Sequence, residues 1–151
     1  MSATDESAAA EHYAARGRQV IEELGWERNW STAESRGADA EFRELTQRMV
    51  FAQLYGRPGL SLRDRELIVM GIILTQGSER GIKPHFRQCH ELGITEREVR
   101  ELIYTVCVYG GWPKGSQASV WFNRVLKEEG STWPDDLRID PPLPPPVTEA
   151  D

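Results

Sequence analysis

His85 is the side chain best suited to carry a proton at neutral pH, because an unperturbed imidazole titrates near pH 6.5. It follows Pro84, which suits the first turn of a helix. At such a position the positive end of the helix dipole favours the neutral ring, ready to act as a base or a hydrogen-bond donor. The alternative is a capping or core histidine. Glu66, in the stretch RDREL, heads a helix whose remaining faces are apolar. It is either a first-turn acid facing solvent or a buried carboxyl of raised pKa able to exchange a proton with His85. Arg57, in GRPG, is a candidate clamp for a carboxylate, which guanidinium grips through two parallel bonds; otherwise it satisfies helix carbonyls at the turn.

Further along, Tyr109, Gly110, Gly111, Trp112 and Pro113 form a turn between helices. Its paired glycines let backbone approach a ligand closely, and Trp112 could wall a pocket; the glycines could equally serve tight helix packing. Gln53 and Gln117 are candidate donors to a substrate oxygen, or ordinary surface amides. Cys89 lies one helical turn after His85 on the same face. That spacing allows a nucleophile with its base, although a small core residue is the commoner use. His90 points away from His85 and Cys89, and no fourth ligand is evident, so no metal is expected. Cys107, beside an apolar stripe, reads as packing.

These groups are held by segments that read almost entirely as helix. Residues 6–24 are rich in Ala, Glu and Arg and stop at Gly25, and residues 26–36 read as a connection. Residues 38–55 place Phe42, Leu45, Met49 and Leu54 at near-helical spacing before the break at 56–59. Ser61 caps a helix that Gly77 ends, and its apolar character all round predicts a central, buried element. A helix beginning near Pro84 stops at Gly93, and Thr95 with Glu98 forms a capping box for the next. That helix carries a stripe of Val99, Leu102, Ile103 and Val106, and a last helix runs from Pro113 to about residue 129. No alternating β pattern is present. The fold class is therefore all-α, a compact bundle of about six helices over residues 1–130. The tail, residues 131–151, has six prolines and is expected to be extended.

The 151 residues suit one domain, with 39% hydrophobic and 28% charged residues as in ordinary globular proteins. A net charge of -6 without a basic stripe speaks against nucleic acid. The longest apolar run, Leu67 to Leu74, is far short of the roughly 20 residues needed to span a bilayer. The N-terminal residues lack the charged start and apolar block of a signal peptide, so a cytoplasmic location with two reduced thiols is expected.

Two stretches resemble the carboxymuconolactone decarboxylase family. One is GRPGLSLRDREL followed by an apolar helix and by His85, eight residues before the Gly of GIT; the other is VYGGWP, residues 108–113. The similarity covers roughly residues 15–128. It implies an alkylhydroperoxidase-D-like helical bundle assembling into homo-oligomeric rings, trimers or hexamers. It also implies a cofactor-free carboxy-lyase acting on a small carboxylate or lactone from aromatic catabolism or a related pathway. His85 and Glu66 would be catalytic, with Arg57, Gln53, Tyr109, Gly111, Trp112 and Gln117 on the substrate. In such a lactone the electrons left by departing CO₂ delocalise into the ring carbonyl, so the protein need supply only a proton, a donor for the enolate and a dry pocket.

Some residues depart from the decarboxylase pattern. Gln53 stands where the decarboxylases often carry Glu, and Glu66 matches a glutamate typical of the related thiol peroxidases. In those peroxidases two cysteines lie seven and four residues before the histidine; here the positions hold Ser78 and Gly81. A thiol-dependent peroxidase using Cys89 or Cys107 and a non-catalytic helical binding module are the alternative readings.

Overall fold

The computed structural model describes residues 3–27, 37 and 39–129. Among the described residues there are six α-helices: α1 (Ala3–Glu23), α2 (Ala40–Thr46), α3 (Leu62–Gln76), α4 (Glu79–Glu91), α5 (Glu96–Tyr109) and α6 (Trp112–Glu129). The backbone of α2 runs on without a break as a π-helical segment, Gln47–Tyr55. No strand occurs among the described residues, and none of their helices is long and apolar enough to cross a membrane. Most of the expected connection at 26–36, and the proline-rich tail, fall outside the described residues.

The local signals act as their chemistry requires. Ser61 accepts a hydrogen bond from the Asp64 amide at the start of α3, and Gly77 ends that helix with φ 76°, a conformation that favours glycine. Thr95 and Glu98 complete the capping box of α5. Burial opposes the charge on Glu98, but hydrogen bonds from Arg63 and Thr95 outweigh it and hold the carboxyl below its usual range.

Two apolar clusters make the interior. The larger draws Met70 and Leu74 from α3, Ile82, Phe86 and Cys89 from α4, Ile103 and Val106 from α5, and Ala118, Phe122 and Val125 from α6. The smaller joins Val20 and Ile21 of α1, and Leu24 just after it, to Phe51 and Tyr55 of the π segment. Leu92 packs against both. Helix α6 crosses α5 so closely at Gly115 that an added Cβ would fall 3.0 Å or less from the sulfur, amide and Cα of Cys107. Backbone cannot yield as a flexible side chain can. Gly115→Ala is expected to lower stability by about 1–3 kcal/mol, the usual penalty of overpacking, read from urea unfolding.

Three expectations need correction. The stripe Phe42, Leu45, Met49 and Leu54 is exposed, Phe42 to 58%, and the chain buries Phe51, Ala52 and Tyr55 instead. From Gln47 onward the wider turn of the π segment shifts the phase of the side chains relative to an α-helix, the Gly56 amide bonding the Phe51 carbonyl five residues back. Helix α3 is central but not buried all round, since Ile68 and Ile72 face outward. Pro84 does not open a helix. It lies inside α4, the sixth of its residues, where it removes one backbone hydrogen bond.

Candidate active site

Glu66 is the fifth residue of α3 and His85 the seventh of α4. The packing of these neighbouring helices brings Glu66 Oε1 to 2.7 Å from His85 Nδ1. The other carboxylate oxygen, Oε2, accepts a hydrogen bond of 2.8 Å from the Tyr55 hydroxyl. Glu66 is 0% exposed, so the solvent-facing reading of this acid does not hold. The His85 side chain keeps 21% exposure and thus connects a buried anion to the surface. A buried carboxylate has to be hydrogen-bonded or paired; here both oxygens are engaged.

This geometry specifies the imidazole more firmly than the helix dipole does. His85 is well past the first turn, where the dipole effect is concentrated. With Glu66 ionised, Nδ1 carries the hydrogen and donates to Oε1, which leaves the Nε2 lone pair as the group able to accept a proton. The Trp26 ring lies 4.8 Å from the His85 ring, tilted by 52°, and continues through Phe51 to Tyr55 as an aromatic wall. Burial, reinforced by the Glu66 charge, keeps the Tyr55 hydroxyl protonated by raising its pKa. The site lies where the two apolar clusters meet, for Trp26 and Tyr55 belong to the smaller and the helices of Glu66 and His85 carry the larger.

Cys89 is buried, and desolvation with the Glu66 charge pushes its thiol well above the ordinary range. A thiol held in that state is a poor nucleophile. Ser78 caps α4 by accepting from the Gly81 amide, so the positions expected for a redox cysteine pair serve to start the helix. Among the described residues no three His, Cys, Asp or Glu side chains are grouped to hold a metal ion.

The other candidates lie outside this pair. Gln53, Arg57 and Gln117 are exposed, as are Tyr109 at 89% and Trp112 at 72%. Gly111 is half-buried with φ 104°, in the region that favours glycine. Arg65, buried beneath the GRPG turn, donates to the Arg57 carbonyl at 3.4 Å and so ties the turn to α3. An open cleft of about 320 Å³, with Ala10, Arg18, Arg43 and Arg48 among its lining, runs between α1 and α2 and includes neither Glu66 nor His85. Sequence reasoning missed Tyr55 and Trp26. Tyr55, the last residue of the π segment, stands eleven positions before Glu66 with a turn between them, and no fixed spacing predicts such a meeting. Trp26 sits in a connection with no period.

The model of the carboxymuconolactone decarboxylase family matches residues 40–123. A 4-carboxymuconolactone decarboxylase of Acinetobacter baylyi is 30% identical over 90 residues, 60% of this chain and 67% of that protein. A nitrosuccinic acid decarboxylase of Metarhizium robertsii is 28% identical over 85 residues, 56% of this chain and 59% of that protein. An uncharacterized 15.0 kDa protein of Paracoccus denitrificans is 32% identical over 83 residues, 54% of this chain and 62% of that protein. The chain thus spans about three fifths of the length of the last two relatives.

Proposed function

The chain belongs to the carboxymuconolactone decarboxylase family, and from that premise we propose that it is a carboxy-lyase whose proton carrier is His85. The observation that carries this reading is the 2.7 Å contact between the buried Glu66 carboxylate and a partly exposed imidazole. The substrate class is a small organic acid whose carboxyl is attached beside an electron-withdrawing, unsaturated group. Two relatives are named for loss of CO₂ from small acids, which supports the same class here.

In the proposed reaction the bond between the carboxylate carbon and its neighbour breaks, and CO₂ leaves without the electron pair. That pair enters the substrate's own conjugated carbonyl as an enolate. The protonated His85 ring then delivers its Nε2 hydrogen to carbon, and solvent restores it. Glu66 stabilises the imidazolium through Oε1, and Arg57 on the GRPG turn supplies a cation to the substrate. Trp26 and Phe51 keep the reacting face apolar, while a substrate role for Gln53, Tyr109, Gly111, Trp112 and Gln117 rests on the family resemblance.

The test is CO₂ release from 4-carboxymuconolactone by the wild type and by His85→Ala. Turnover by the wild type with a fall of about 10²–10⁴-fold in the variant is expected. Equal turnover by a folded His85→Ala protein would remove the histidine from the chemistry, and none by the wild type would remove this substrate.

We further propose that copies of the chain associate. One chain leaves Ile68 and Ile72 of α3 and Tyr104, Val108, Tyr109 and Trp112 around the end of α5 exposed, a larger share of big apolar side chains than a lone surface usually carries. Sedimentation is expected to give a ring of three or six copies, and Ile72→Glu to lower the assembly state. A wild type sedimenting as a single chain would end the proposal.

A further inference from the structure

We propose that Tyr55 is a positioning residue: it holds Glu66 in its ionised form and thereby decides which nitrogen of His85 bears the hydrogen. The inference rests on the His85-centred reading above but reaches a residue that the reading does not require.

The Tyr55 hydroxyl is buried and donates to Glu66 Oε2 at 2.8 Å, on the opposite side of the carboxylate from the 2.7 Å contact with His85. A carboxylate with a donor on each oxygen accepts two hydrogen bonds only while it is an anion; protonated, it would have to turn a hydrogen toward one of them. Tyr55 cannot reverse its role. Its ring edge is packed within the cluster of Val20, Ile21, Leu24 and Phe51, and a phenol is a far weaker acid than an imidazolium. The hydroxyl is therefore a permanent donor, and the proton shared within the pair is left to His85.

The charged and titratable groups around the carboxylate fit this assignment. The π segment contributes Tyr55, and α4 contributes His85 and Cys89, whose thiol stays protonated. From α3, Arg65 acts on Tyr55 as a nearby positive charge. Arg63 is engaged by Glu98 of α5. Trp26 brings an uncharged ring over the imidazole.

Tyr55→Phe removes one oxygen and keeps the ring. Without the second donor, the state with Glu66 charged and His85 neutral loses more than the state in which the pair has bound a proton. Proton affinity of the pair accordingly rises. The expected result is an upward move of roughly one pH unit, tenfold in proton affinity, in the midpoint of the His85 titration.

The measurement is nitrogen-15 NMR of histidine-labelled protein without substrate, with the His85 signals among the three histidines identified from the His85→Ala spectrum. Wild type should show Nδ1 protonated and Nε2 bare above the midpoint. Tyr55→Phe should raise the midpoint, and the alkaline limb of kcat/KM, where the protonated ring is lost, should move up with it while KM changes little. A folded Tyr55→Phe protein with an unmoved midpoint overturns the proposal. Because the NMR arm needs no turnover, failure of the decarboxylase reading shows separately, as no CO₂ from the wild type.

Discussion

Glu66→Gln is expected to lower kcat by about 10²–10³-fold while leaving KM within a few-fold of its starting value. The substitution is nearly isosteric, so the packing of α3 against α4 survives. What changes is the direction of the hydrogen bonds. The Tyr55 hydroxyl continues to donate, and it claims the amide oxygen of the new side chain. The amide nitrogen then faces His85 Nδ1 as a donor, and Nδ1 must accept. That forces the imidazole hydrogen onto Nε2, the atom that has to receive a proton in the wild type. The imidazolium also loses the anion that stabilises it. Steady-state kinetics, with thermal unfolding to verify the fold, checks the result. A Glu66→Gln protein of nearly normal kcat would show that the carboxylate only fills space.

The second large effect concerns stability. Phe122 is wholly buried, its ring centroid 4.9 Å from that of Phe86, with the Arg100 guanidinium 5.4 Å from the ring centroid. Phe122→Ala is expected to cost about 3–5 kcal/mol, since the lost transfer energy adds to the cavity left among α4, α5 and α6. For a chain of this length that corresponds to a fall in Tm of roughly 6–20 °C. Differential scanning calorimetry at matched pH reads it. A change below 1 kcal/mol would mean that the neighbouring residues collapse into the space.

The helices were legible because their ends are written in local chemistry. Ser61, Gly77, Thr95 with Glu98, and Gly93 each act within a few residues of themselves, and the structure uses them as expected. The helical period failed at Gln47–Tyr55 because a π turn changes the phase without any marker among those residues. Pro84 misled for a related reason: proline signals a helix start only on average, and here Ser78 already provides the cap. His85 stood out through its titration range and Glu66 through its place on an apolar helix. Their contact depends on how α3 meets α4, which neither segment encodes alone. Tyr55 and Trp26 come from the smaller cluster, so nothing near His85 in sequence announced them.

The buried Gln88 amide donates to the Leu24 carbonyl just past the end of α1. Gln88 stands three residues after His85, and Leu24 two before Trp26, so one side chain fastens the aromatic wall to the helix of His85. Helix α1 lies outside the stretch matched by the family model. The packing around His85 therefore extends beyond the stretch matched by the family model. Grafting residues 40–123 alone onto another scaffold would transfer Glu66 and His85 but leave behind the Trp26 ring that packs against the imidazole.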